Sequence, residues 1–492
     1  MKRWRVVLRG ILLKGLALLF LGYGAIFLTS LVFKHSLHFL SGISPEDLDL
    51  KDYQTPDPDP TTNFFSTLGY DFSSPDQNGR FLPADIPPFG PYVGPLGKTS
   101  SQNSSDLSWP WTGDFSLLFD LESTASQIRK DFQDPRPGAD QAFLAYQAKV
   151  LAARSPLEIC DVSLSIWHPL FLRLYGALGQ PKSVNPFPAD QAFQLEGPTM
   201  GVFDLIRIAK LLTLESLVDF SRKPPVAKAE PVLASLRISE GLLERPVGLI
   251  FQIAGSACAT LSLHAIWKGV DTNLYQESDL IRIHEQLGRI DLQKNARTVI
   301  FQESCFAYQV LASNLLVFTD PFSRVFSPWI TPVVRNFFQG LVVWDLWRTN
   351  RSIADQSPFK DEGPSWGFLF PFARSIAFYN DMVLREVWIR LTRLDVALEI
   401  YQRRTGTLPE SLEALVPDVC QELPRDPITG KFFAYKKVNP NEYVLYSWWI
   451  DQKDDGGIPV AITQPPPKDI MEFLRHQAKG DLVWPPHHAG KN

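Results

Sequence analysis

The sequence predicts a mainly α chain: an N-terminal transmembrane helix, a body of antiparallel helices, and a small α+β head with an antiparallel hairpin. Three observations predict this. Residues 15–33 are free of charge and follow a basic segment. Helix-length apolar segments separated by Pro or Gly fill most of the middle of the chain. Two strand-like runs, 432–436 and 443–449, flank Asn439-Pro440-Asn441 near the C-terminus.

The basic segment, residues 1–14, contains Lys2, Arg3, Arg5, Arg9 and Lys14 with no acidic residue among them. Gly15 to Phe33 then runs nineteen residues without a charge. At ~1.5 Å per residue this comes close to spanning a hydrocarbon core of roughly 30 Å. Basic residues stay on the cytoplasmic side, so residues 34–492 are expected outside the membrane. A cleaved signal peptide would need a shorter apolar core and a small-x-small site. Phe27-Leu28-Thr29-Ser30, followed by Leu31, Val32 and Phe33, supplies no such site. The expectation is a single-pass protein of the bacterial inner membrane, its N-terminus cytoplasmic and its bulk periplasmic.

Residues 34–112 read as a Pro-rich tether. Thr55-Pro56-Asp57-Pro58-Asp59-Pro60 cannot hold a helix, since proline lacks the amide donor and restricts the residue before it. Pro83, Pro87, Pro88, Pro91 and Pro95 extend the pattern. Phe64, Phe65, Tyr70 and Phe72 give the tether a means of docking onto the body.

Residues 113–375 read as an α-helical domain. Helices are expected over 140–154, 201–220, 231–245, 247–268, 278–287 and 292–311, joined by short turns such as Lys223-Pro224-Pro225. The uncharged stretch 247–267 invites a reading as a second membrane span. Gln252, Ser256, Thr260 and His264 fall four apart on one face, and such a polar stripe suits a helix buried in protein. The aromatic run from Trp366 to Tyr379 is expected in a core, with a membrane-interface patch as the alternative.

Residues 376–466 form the predicted head and 467–492 a tail. Leu384, Val387, Leu391, Leu394, Leu398 and Tyr401 make one apolar helical stripe, ended at Thr405-Gly406. A short helix over 410–415 and a turn at Thr429-Gly430 follow. Asp451, Asp454 and Asp455 lie just beyond the second strand, and by themselves read as a solvated acidic turn.

Several classes of function are disfavoured. A net charge of −5 argues against nucleic acid as the main partner. Cys160, Cys258, Cys305 and Cys420 contain no C-x-x-C pair and read as buried thiols, with a Cys258–Cys305 bridge open in an oxidising compartment. The eight histidines lack metal spacing, and His284-Glu285 lacks a zincin's second histidine. Ser357-Pro358-Phe359-Lys360 matches Ser-x-x-Lys without its companion motifs. The residues therefore favour a non-enzymatic binding or scaffolding role, with other envelope proteins as partners. The alternative is an extracytoplasmic hydrolase whose site is assembled from scattered residues.

The order of elements from Tyr401 to Asp455 resembles the C-terminal head of the G-type pseudopilins of type II secretion. The matching pieces are Tyr401, Gly406 and Pro409, then Leu423-Pro424-Arg425-Asp426-Pro427-Ile428-Thr429-Gly430, then Tyr443-Val444-Leu445-Tyr446-Ser447. The N-terminus departs from that family, with no prepilin-peptidase site and no Phe-Thr-Leu-x-Glu helix. The resemblance implies a link to secretion. It also implies Ca2+ in the acidic loop, with Asp451, Asp454 and Asp455 as ligands and backbone carbonyls near Leu445 contributing. Taken whole, anchor, tether, body and head resemble a group of bacterial membrane-anchored proteins.

Overall fold

The computed structural model describes residues 23–39, 41–44, 63–67, 121–133, 141–185, 200–225, 228–245, 247–312, 321–354, 375–459 and 480–484. The chain is mainly helical with one three-stranded antiparallel sheet, and it divides into two compact units. One comprises residues 1–54 and 297–378; the other comprises 55–296 and 379–492.

In the first unit, residues 23–39 form a helix, α1. The helix runs past Phe33, the last residue of the uncharged stretch, while residues 15–22 of the expected span lie outside the described residues. One side of α1 packs within its own unit. The Phe33 ring stacks on Phe337 at 5.4 Å, the Lys34 amine donates to Gln339 at 2.7 Å, and His38 meets the Tyr308 hydroxyl at 3.2 Å. The other side leaves Leu28, Val32 and Phe39 60%, 56% and 87% exposed.

The second unit begins with Asn63 and the short helix α2 (Phe64–Thr67). Asn63 exchanges hydrogen bonds with both backbone groups of Val184, and Phe64 and Phe65 are fully buried. This part of the expected tether is folded chain. Its docking fits tightly, because a Cβ on Gly241 would lie 2.2 Å from the Phe65 ring. The other expected anchors, Tyr70 and Phe72, lie outside the described residues.

Next come α3 (Leu121–Gln133), α4 (Gln141–Ala152), α5 (Pro156–Leu164) and α6 (His168–Ala177). Ser155 caps α5 by accepting the Glu158 amide at 3.2 Å, and proline opens its first turn where no amide partner is needed. The heart of the unit is α7 (Met200–Ser221), α8 (Glu230–Glu244) and α9 (Leu249–Asp271), which pack on one another. Phe132, Trp167, Phe171, Leu212, Ile238 and Phe251 sit in their common core. Among the described residues α9 alone is long and apolar enough to cross a membrane, and 72% of its most apolar stretch is buried. Its polar stripe meets protein. Gln252 donates to the Leu292 carbonyl at 2.9 Å, and Thr260 accepts from Arg385 at 3.3 Å.

Helices α10 (Glu277–Leu287), α11 (Ala296–Ala312), α12 (Pro321–Ala354) and α13 (Ser375–Thr405) follow. Helix α13 ends at Gly406, whose φ of 79° is the left-handed conformation that closes helices at little cost for glycine. A 3₁₀ turn over Leu412–Leu415 leads to β1 (Ala434–Asn439), β2 (Glu442–Ser447) and β3 (Leu482–Trp484). The expected hairpin is present as β1–β2, with Ala434 opposite Tyr446. The third strand is the difference from expectation. It comes from the presumed tail and pairs Leu445 with Trp484 and Ser447 with Leu482. None of the four cysteines forms a disulfide, so there is no Cys258–Cys305 bridge, and all four are buried. Of the 366–379 aromatic run, only Phe378 and Tyr379 have described surroundings, and Tyr379 is buried.

Candidate functional site

The acidic loop after β2 is built on a framework that begins at Asp426. This carboxylate is buried and accepts three hydrogen bonds: the Ile428 amide at 2.9 Å, the Thr429 hydroxyl at 3.1 Å and the Ser447 hydroxyl at 2.7 Å. The Leu-Pro-Arg-Asp-Pro segment is thereby pinned to the end of β2. Ser447 in turn accepts the Trp449 amide at 3.1 Å, which sets the path of the chain into the loop.

The loop turns sharply. Trp449 and Gln452 have φ of 54° and 58°, and Gly456 and Gly457 follow at 73° and 81°. Asp451 stays within its own turn, its Oδ1 accepting the Lys453 amide at 3.1 Å. Asp454 Oδ1 accepts from the Tyr446 hydroxyl and from the Gly456 amide, both at 2.9 Å. Asp455 is half-buried, and its Oδ2 has no hydrogen-bond partner.

A fourth carboxylate lies beneath this turn, one that sequence reasoning missed. Asp481 precedes β3 and is fully buried. Its amide donates to the Ile458 carbonyl at 2.7 Å, and its Oδ2 accepts the Gly457 amide at 2.8 Å. Its Oδ1 is buried with no hydrogen-bond partner. Burial pushes the Asp481 carboxyl up to about 6; the Gly457 amide offsets part of this, while the charges of Asp454 and Asp455 add to it. Packing of 457–459 beside 480–481 thus brings three carboxylates together, two of which carry an unsatisfied buried oxygen. An unpaired buried carboxylate is costly, and a hard cation that takes oxygen ligands is the natural relief.

Asp454, Asp455 and Asp481 therefore fit a calcium ion by chemistry, with Asp451 shaping the loop beside them. Among the described residues no group of three His, Cys, Asp or Glu side chains is already drawn close enough to hold a metal. A calcium ion here would require these carboxylates to move closer together. A sequence signal for Asp481 did exist in Gly480-Asp481 before Leu482-Val483-Trp484. It is separated from the loop by residues 460–479, and a three-residue strand carries no periodicity.

Compared with protein-family models, curated proteins and solved structures, the chain matches none.

Proposed function

We propose that this chain is a membrane-anchored protein of the bacterial envelope, with a non-enzymatic binding or scaffolding role linked to secretion. Residues 15–33 would anchor it, N-terminus inside and residues beyond 33 outside. Its head would be closed by Ca2+ held by Asp454, Asp455 and Asp481. Its partners would be other envelope proteins. The observation that carries this reading is the exposed apolar side of α1. Leu28, Val32 and Phe39 are each more than half exposed on one face of a helix that includes the end of the uncharged stretch. Exposed apolar surface of this kind is stable against acyl chains and unfavourable in water.

Fractionation of cells expressing the full chain tests it. The protein should stay in the membrane pellet through alkaline carbonate washing. External protease should digest residues beyond 33 in spheroplasts. Release by carbonate, or protection of the bulk from protease, would overturn the proposal.

A further inference from the structure

The second unit holds a cavity of about 340 Å³ between the end of α10, one face of α13 and the loop 422–425. Half of its lining residues are charged, with Arg390, Arg393 and Arg425 set among Asp291, Glu386 and Glu422. Most of these charges already have work within the fold. Glu386 accepts the Arg390 guanidinium at 2.7 Å and the Leu292 amide at 2.8 Å. Arg390 also donates to the Arg425 carbonyl at 2.8 Å. Arg425 reaches the Gly430 carbonyl at 3.2 Å and lies over the Phe432 ring at 4.6 Å. Asp291 accepts the amides of Gln293 and Lys294 at 2.9 and 3.0 Å.

Arg393 is different. It lines the cavity, and its buried Nε has no hydrogen-bond partner. Room for it is built into the fold. Gly288 has an ordinary backbone conformation, yet a Cβ there would lie 3.0 Å from the Arg393 Cζ. Arg393 is also drawn down by its burial, with Arg390 adding to the effect and Cys420 and Glu422 opposing it. Its charge helps hold buried His284 well below the usual imidazole range, at about 4, though burial of the ring is the larger cause. A half-buried guanidinium without a bonded partner is an incomplete fork that a planar anion completes with two parallel hydrogen bonds.

We propose that this cavity is a binding site for a carboxylate monoanion carrying an apolar body, gripped by Arg393. Leu423 and Pro424, both half-buried, supply apolar wall for that body. The three acidic residues lining the cavity disfavour a phosphate dianion, since like charges repel across a poorly hydrated space. A free organic acid and the C-terminal carboxylate of a peptide share this chemistry.

The test is calorimetric titration of the full chain in detergent with N-acetyl-leucine, its amide, the peptide acetyl-Ala-Ala-Leu, and inorganic phosphate. N-acetyl-leucine should bind, while the amide and phosphate should be at least about tenfold weaker, the scale of a lost charge-assisted pair. Tighter binding of the peptide would identify a chain terminus as the source, and equal or weaker binding a small acid. Arg393→Gln should abolish binding without lowering thermal stability, because Arg393 donates no hydrogen bond that the fold needs. Gly288→Ala, which crowds the guanidinium, should weaken binding on an independent change. Equal binding of acid and amide, tighter binding of phosphate, or undiminished binding by both variants would overturn the proposal.

Discussion

Asp395 offers the sharpest test of how the head is fastened to its helix. It sits on the buried side of α13, 2% exposed, and accepts a hydrogen bond from the Tyr443 hydroxyl of β2. Burial pushes its carboxyl up to about 7; the Tyr443 hydrogen bond pulls it back, while Glu399 and Asp271 push further. Between pH 4 and 7 the folded chain therefore holds a proton here that the unfolded chain has released. Unfolding free energy falls as pH rises through that window, because the folded state binds more protons. From an ordinary value of 3.8 to about 7, at ~1.4 kcal/mol per pH unit, the loss is about 4 kcal/mol. Asp395→Asn removes the ionisation and keeps an acceptor for Tyr443. It should flatten the slope and raise stability at pH 7.5 relative to the parent. Asp395→Ala leaves the tyrosine hydroxyl unsatisfied and should cost ~1–3 kcal/mol at pH 5. Tryptophan fluorescence in urea suits the measurement, because Trp388 and Trp484 lie 6.1 Å apart where α13 meets β3. Asp381, Glu215 and Asp481 also have raised values, so the difference in slope between parent and variant is the quantity to read. An Asn variant with the parent's slope, or less stable at pH 7.5, would refute the reasoning.

Calcium should raise the thermal midpoint of the full chain at pH 7.5, by mass action on the folded state, and EGTA should reverse it. With Asp481 pushed up to about 6, protons compete below that value, so the calcium shift should shrink from pH 7.5 to 5, and Asp481→Asn should abolish it at both. An unchanged shift in Asp481→Asn, read by scanning calorimetry, would exclude that residue as a ligand. Gly480 has φ of 119°, and a Cβ there would lie 2.9 Å from the Ile458 carbonyl oxygen. Gly480→Ala should therefore destabilise the head by ~1–3 kcal/mol in the same urea assay. Phe65→Ala, at a fully buried ring, should cost ~3–5 kcal/mol by urea unfolding. A cost under ~1 kcal/mol would mean that residues 63–67 are dispensable to the second unit's core.

The helices that sequence reasoning found are those with uninterrupted apolar periodicity. Residues 201–220, 231–245 and 278–287 were expected, and the structure places Met200–Ser221, Glu230–Glu244 and Glu277–Leu287. Of the longer helices it missed, α3 carries no proline, while the other three are disguised by it. Helices α5 and α6 carry Pro156 and Pro169 in their first turns, where a proline fits and where the sequence reads as a turn. Helix α12 contains Pro328 and Pro332, which argue against any helix there. Long-range pairing was equally invisible. Phe64 and Phe65 sit in a Pro-rich context, and their burial depends on the space left by Gly241. Of the site, the loop aspartates were legible and Asp481 was not, because only the β2–β3 pairing carries it under the loop. Arg393, on a helix rich in charge, reads as a solvated residue. Its lack of a hydrogen bond emerges only once the bonds of Glu386, Arg390, Arg425 and Asp291 have been traced.

The proposed anchor is also more than a tether to lipid. Leu28, Val32 and Phe39 share one exposed side of α1; the opposite side is fitted to segments far away in sequence. A Cβ on Gly340 would lie 3.0 Å from the Phe33 ring, so α12 is shaped to receive that ring. The Lys34 amine lies over the Tyr308 ring at 5.2 Å while donating to Gln339, a position that a residue merely trailing from a bilayer would not hold. The Gln339 amide donates onward to the Tyr308 carbonyl at 3.1 Å, so α11 and α12 are joined by the residue that receives the lysine. The first compact unit is thus discontinuous, assembled from the start of the chain and from residues 297–378. It cannot be completed until synthesis has passed through all of 55–296. During that interval α1 has an apolar side and a half-built polar one. If residues 15–33 anchor the chain as proposed, acyl chains would cover that apolar side until α11 and α12 arrive. The proposed membrane insertion would then serve the folding of the first unit as well as its location.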